Sequence, residues 1–182
     1  LLKCIDKDQQ CFAAKSRKEA IMPDVLIVYY SRTGHTKEMA EYIAEGVEQE
    51  RNVSCVVKEV SAVNINELLE IKGLIVGSPT YYGEAASEIR ALFDDSIKHH
   101  GKLDGKVGAA FTSAANVGGG NETAILSIIN SMLVHGMVVQ GKPSGDHYGP
   151  VAINAPDTRA KKQCIEQGQR VAQLVKQLFG KP

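Results

Sequence analysis

The sequence predicts an α/β protein: a three-layer α/β/α sandwich on a five-stranded parallel sheet in the order 2-1-3-4-5. Three observations lead there. Short apolar runs alternate with segments of helical spacing along the 182 residues, which implies βαβ crossovers and a parallel sheet. The runs at 26–30, 74–77 and 107–111 are continuously apolar, as strands covered on both faces are. The second run carries Ser54, Lys58 and Glu59, and the fifth is short. Those two suit the edges, whereas the order 3-2-1-4-5 would bury the second.

The elements follow in turn. Strand one covers 24–30, and a helix at 36–50 puts Met39, Ala40, Ile43, Ala44 and Val47 on one face. Strand two covers 52–60, and the connector 61–71 has room for a short helix at 65–70. Strand three covers 73–78, then a loop at 79–84 and a helix at 85–99 with Ile89, Leu92, Phe93 and Ile97 inward. Strand four covers 106–112, then a loop at 113–121 and a helix at 122–135 with Ile125, Ile128, Ile129, Met132 and Leu133 inward. Strand five covers 137–140, a long loop 141–156, and a last helix 157–179. Residues 22–182 read as one domain of ordinary size.

Residues 1–21 lack a strand pattern and read as an N-terminal extension outside that domain, with Met22 before Pro23 as a candidate start. The alternative is a helix with Leu1, Cys4, Ile5, Cys11 and Phe12 on one face. Lys+Arg and Asp+Glu both number 21, so no global basic signal marks a nucleic-acid partner. The first 21 residues hold five of the bases and three of the acids, leaving 16 and 18, a net of −2, for the rest. No run approaches the ~18 apolar residues of a membrane span, and the expected location is the soluble cytoplasm. The four cysteines form no Cys-x-x-Cys, so zinc and thioredoxin-type chemistry lack support. Cys55 and Cys164 read as small core residues.

The segment 24–40, DVLIVYYSRTGHTKEMA, carries the chemistry. A buried strand stops at Ser31, Arg32, Thr33, Gly34, His35 and Thr36, and a helix starts. The helix's free N–H groups and positive dipole end suit a phosphate, and the hydroxyls add donors. No Lys follows Gly34 as a P-loop requires, and no Gly-x-Gly-x-x-Gly occurs. Taken alone, a hydroxyl-capped helix start without a ligand is an equally good reading.

In the order 2-1-3-4-5 the switch point lies between strands one and three, where ligands bind at the carboxyl ends. The second loop, Pro79, Thr80, Tyr81, Tyr82 and Gly83, flanks the same crevice and offers a flat aromatic wall. Its bland alternative is two tyrosines covering the sheet top. The third loop holds Ser113, Ala114, Ala115, Asn116, Val117, Gly118 and Gly119. Its backbone could read the edge of a flavin or pteridine, or form a flexible turn capped by Asn121. Three such loops at one sheet end outweigh any one of them.

The stretches VLIVYYSRTGHTKEMA, GSPTYYGEAASEIRALFD, FTSAANVGGGNETA and LVHGMV resemble the flavodoxin-like superfamily. Within it the chain is most similar to the tryptophan-repressor-binding-protein type of NAD(P)H:quinone oxidoreductase, over essentially all of 22–179. The resemblance implies a flavodoxin-like fold and FMN, with the phosphate in loop 31–36, Thr80, Tyr81 and Tyr82 on one side of the ring and 113–119 along its other edge. There are departures. The pair before Gly-Met is Val134-His135 where those enzymes carry two histidines. The insertion between strands two and three is replaced by the connector 61–71, and the chain has no Trp. The glycine loop is one residue longer, and the loop after strand five is shorter. FMN binding tolerates these changes better than quinone reduction does.

Arg32 can serve the FMN phosphate, a nicotinamide cofactor's phosphate, or solvent. His35 reads as a loop hydrogen-bonder, His99 and His100 as structural groups at a helix end, and His135 as a cap. His147 and Tyr148 lie in a loop able to close over a flavin, and Tyr148 is kept as a candidate ligand residue. No residue is nominated as catalytic, no set has metal-ligand spacing, and no Gly-x-Ser-x-Gly supports a hydrolase. The leading expectation is an FMN oxidoreductase with NAD(P)H as donor and a quinone or similar small molecule as acceptor. The alternative is a flavodoxin-type carrier serving redox protein partners, and a third reading is a flavin-free interaction protein. The family implies a homodimer or homotetramer.

Overall fold

A computed structural model describes residues 23–180; the expectations for 1–21, Met22, Cys4 and Cys11 lie outside them. The elements are β1 (Val25–Tyr29), α1 (His35–Glu48), β2 (Cys55–Glu59), β3 (Gly73–Tyr81) and β4 (Glu84–Ala85). Then come α2 (Ser87–Asp95), β5 (Val107–Ala114), α3 (Asn121–Val134), β6 (Val138–Val139), β7 (Val151–Ile153) and α4 (Thr158–Phe179). Short 3₁₀ turns occupy Val60–Ala62, Ile65–Leu69 and Ser96–His99.

The main sheet order is β2-β1-β3-β5-β6, with parallel neighbours. This is the expected 2-1-3-4-5 arrangement, with one difference: the fifth position is filled in two pieces. β6 pairs with Val107 and Gly108 at the start of β5, and β7 pairs with 112–114 at its end. Between them 140–150 loops out. That stretch holds three glycines and two prolines, so β7 is hidden behind turn composition. At the gap the carbonyl of Ala110 accepts from Gln167 Nε2 of α4 at 3.0 Å, so the uncovered β5 edge is still satisfied.

Strand periodicity divides the core. Val25, Ile27, Ile75 and Phe111 face α1 and α4, where they meet Met39, Ile43, Val47, Cys164, Val171 and Val175. Leu26, Val28, Leu74 and Val76 face α2 and α3, where they meet Ile89, Leu92, Ile125, Ile128 and Met132. Each such side chain contributes about 1.5–3 kcal/mol on full burial. Burial pushes the Cys164 thiol up to about 12 and the Cys55 thiol up to about 11, as core thiols should behave.

Two inward assignments are corrected. Ile97 is 70% exposed, because α2 ends at Asp95 and tightens into a 3₁₀ turn. Fewer residues per turn rotate position 97 off the apolar face. Leu133 is 55% exposed: the two-residue β6 leaves little sheet under the last turn of α3.

The end of α2 meets the end of α3 through a 2.7 Å bond between Ser96 Oγ and His135 Nε2. His99 bonds Asn66 at 3.0 Å, and the His100 ring lies 6.0 Å from that of His135. His135 Nδ1 is buried without a partner among the described residues. Burial, then the neighbouring His100 and His99, lowers the His135 pKa below 6.5. A lowered histidine pKa means the unfolded chain takes up the proton first, so stability is full above about 6.5 and falls as pH drops through the lowered value. His135→Asn is expected to flatten that fall, read as the difference in urea midpoint between neutral and mildly acidic buffer. An equally steep fall in the variant would place the effect elsewhere.

Candidate functional site

β1 stops at Tyr29, whereas β3 runs to Tyr81 and β5 to Ala114. The carboxyl ends of the central strands therefore form a step. Residues 31–36 bound the step on the β1 side. The β3–β4 hairpin and 115–120 bound it on the other.

Within 31–36, Ser31 Oγ accepts from the Gly34 N–H at 3.0 Å. Gly34 takes φ 91, and the first backbone bond of α1 runs from Glu38 N–H to the Gly34 carbonyl at 2.9 Å. Among the described residues, the N–H groups of Arg32, Thr33, His35, Thr36 and Lys37 donate to no protein acceptor. Those donors lie at the positive end of α1, an arrangement that suits an anion. Thr33 is exposed and able to contribute its hydroxyl. Thr36 is buried, and its Oγ1 lies 2.8 Å from Ser113 Oγ, tying this loop to the third one. Ser31 shapes the loop through Gly34. Two of the three hydroxyls are thus part of the loop's own construction.

The predicted loop 79–84 is corrected. β3 continues through Pro79, which sits opposite Ser113. Tyr82 and Gly83 then form a two-residue hairpin turn with φ 52 and 79, the type I′ signature. Proline is tolerated because β1 has already ended on that flank, so no ladder bond is lost. Left-handed backbone at Tyr82 costs of order 1 kcal/mol or more, and its side chain is fully exposed. Tyr81 is half-buried. Thr80 Oγ1 lies 2.8 Å from Thr112 Oγ1, which in turn donates to the Ser78 carbonyl at 2.7 Å.

In the third loop Ser113 and Ala114 belong to β5 and are buried, whereas Ala115, Asn116, Val117, Gly118 and Gly119 are exposed. The N–H groups of Ala115, Asn116, Val117 and Gly118 donate to no acceptor among the described residues. Thr123 Oγ1 bonds the carbonyls of Gly83 at 2.7 Å and Gly120 at 2.9 Å, locking the hairpin to this loop. Asn121 Nδ2 donates to Asn116 O at 3.4 Å. Thr112 and Thr123 escaped the sequence reading because a lone threonine in a strand or a first helical turn has no signature.

Arg32 does not turn toward the donors at the start of α1. Its Nε donates to the Tyr30 hydroxyl at 3.1 Å, and its guanidinium lies 5.2 Å from the Tyr81 ring centroid. Tyr30 also holds the Glu88 carboxyl below the usual carboxylate range. Tyr148 is half-exposed and shares a pocket with Glu122 and Ile125 of α3 and with Val151 of β7. His147 Nδ1–H donates to the Lys142 carbonyl at 2.8 Å, closing that loop on itself. Among the described residues no three His, Cys, Asp or Glu side chains are grouped to hold a metal, and no helix is long and apolar enough to cross a membrane.

Comparison with known proteins agrees with this fold. Residues 27–124 match the flavodoxin family. The chain is 37% identical to a flavodoxin of Clostridium saccharobutylicum, over 85% of this chain and 99% of that protein. It is 35% identical to an NAD(P)H dehydrogenase (quinone) of Sinorhizobium fredii, over 86% of this chain and 99% of that protein. The WrbA-like flavodoxin structure from Agrobacterium tumefaciens superposes with a TM-score of 0.74 at 25% identity, over 86% of this chain and 99% of that one. Lengths separate the two kinds of relative. The match to the Clostridium flavodoxin spans 161 positions, against about 155 residues here (85% of 182). The match to the dehydrogenase spans 197 against about 157 (86% of 182), leaving about 40 without a counterpart.

Proposed function

The chain belongs to the flavodoxin family, and we propose that it is an FMN-dependent oxidoreductase that takes electrons from NAD(P)H and passes them to a small acceptor such as a quinone. One observation carries the proposal: a nest of unpaired N–H groups at the start of α1 opens onto the same step as an aromatic hairpin. The residues fit the cofactor. The N–H groups of Arg32, Thr33, His35, Thr36 and Lys37, with the Thr33 hydroxyl, would hold the phosphate dianion. Tyr81 and Tyr82 would wall the ring, adding about 0.5–1.5 kcal/mol beyond buried area for aromatic contact. The N–H groups of 115–118 would face its polar edge.

Bound there, the flavin would supply the hydride and electron chemistry. The protein's part is position and polarity. Thr36–Ser113, Thr80–Thr112 and Thr123–Gly83 fix the three loops against one another, so the donors are set before a ligand arrives. The exposed Tyr82 and Val117 leave an apolar rim where a planar donor or acceptor can approach.

A second reading, a flavodoxin-type electron carrier for redox protein partners, is favoured by one observation. The chain aligns with the Clostridium flavodoxin almost without insertions, and its connector after β2 is only two 3₁₀ turns. An anaerobic titration separates the two. With FMN added and excess removed, rapid bleaching of the visible flavin band by NADH or NADPH is the expected result. Bleaching by dithionite alone would select the carrier, and a colourless protein would sink both.

A further inference from the structure

Arg32 joins the two walls of the crevice. Its Nε is held by the Tyr30 hydroxyl just past β1, and its guanidinium lies over the Tyr81 ring at the end of β3. The side chain is exposed, so packing does not require it there. Across 31–36, 79–85 and 113–120 it is the only Lys or Arg. Nearby Lys37 runs along α1 toward Glu41 at 3.9 Å instead. The cation thus stands at the Tyr81 wall of the crevice, and the anion nest needs none of it because backbone donors fill that role.

When a flavin takes up two electrons and one proton, the ring becomes one charge more negative. A fixed positive charge at its side favours that form, and more strongly once the ligand has displaced water from the crevice mouth. A charge of opposite sign is Glu88, on the first turn of α2, whose field reaches Arg32 weakly and whose carboxyl Tyr30 holds below its usual range. Resting on the reading that the crevice holds FMN, we propose that Arg32, pinned by Tyr30 and Tyr81, sets the reduction potential of this site. It raises the potential, and Glu88 opposes it. Arg32 is a positioning and electrostatic residue here, not a phosphate ligand.

The test is an anaerobic spectroelectrochemical titration at saturating FMN, alongside FMN affinity and a thermal melt. Arg32→Gln, which keeps the backbone N–H at position 32, is expected to lower the two-electron midpoint with unchanged melting. Arg32→Lys should keep most of the potential. Tyr30→Phe should lose part of it, by freeing the guanidinium. Glu88→Gln should shift the midpoint the opposite way, upward, and added salt should shrink all these differences. An Arg32→Gln protein that binds FMN with the parental midpoint would overturn the inference and leave the cofactor reading standing. One that folds but no longer binds oxidised FMN would overturn it too, by making Arg32 a phosphate ligand. If the parent protein binds no FMN, both readings fall together.

Discussion

Gly168→Ala is expected to cost about 3 kcal/mol or more, the upper end for overpacking, and to lower the melting temperature by about 6–12 °C for a chain of this size. The usual expectation runs the other way, since Ala exceeds Gly in helix propensity by about 0.8–1 kcal/mol. Packing decides the sign. A Cβ on Gly168 would overlap the carbonyl oxygen of Ile43, and one on Gly46 would overlap that of Ile165. These are backbone atoms of α1 and α4, fixed in helical hydrogen bonds, so no rotamer change relieves the clash. The helices must part, and the seam of Met39, Ile43, Val47, Cys164, Val171 and Val175 opens with them. Gly46→Ala should behave alike, and the double variant should fall short of the sum, because one separation relieves both contacts. Chemical denaturation of the three proteins checks this. A Gly168→Ala protein as stable as the parent would mean that α1 and α4 are not in such close contact.

Much of this architecture was legible because it is written in periodicity. The apolar run 26–30 and the spacing of Met39, Ile43 and Val47 mark β1 and α1, and the polar residues of β2 place it at an edge, as found. Where the chain departs from regular periods the reading fails. Pro79 and Gly83 look like a loop but belong to a strand and a type I′ turn, because the sequence does not reveal that β1 ends early. β7 has only three residues behind a glycine- and proline-rich excursion. The three loops at this end of the sheet were legible by composition. The bonds that hold them together were not, since Thr36–Ser113 and Thr123–Gly83 join residues 77 and 40 positions apart. Arg32 shows the same limit: its candidate roles could be named, but not that it would lie over Tyr81.

Those inter-loop ties make Gly120 the most consequential residue of the site, and Gly120→Ala is expected to weaken FMN binding about 30-fold while the fold stays intact. Two effects combine. Gly120 takes φ 91, where an L-residue costs about 1–2 kcal/mol. Its Cβ would also come within 2.5 Å of Gly83 Cα and 3.1 Å of Thr123 Oγ1, between the two loops that Thr123 ties together. The hairpin backbone must move, and the Thr123–Gly83 bond, worth about 1 kcal/mol, goes with it. A total near 2 kcal/mol charged to the binding-competent arrangement gives that factor. The core on either side of the sheet is untouched, so melting of the unliganded protein should change far less than affinity does. Gly118→Ala is the control: φ there is 71, but a Cβ meets nothing within 4 Å, so it bears the backbone cost without wedging the loops apart. Fluorescence titration of FMN with both variants separates strain from geometry. Equal losses would reduce the role of Gly120 to backbone strain, and parental affinity in Gly120→Ala would mean that the hairpin and the glycine loop do not have to be held together for the flavin to bind.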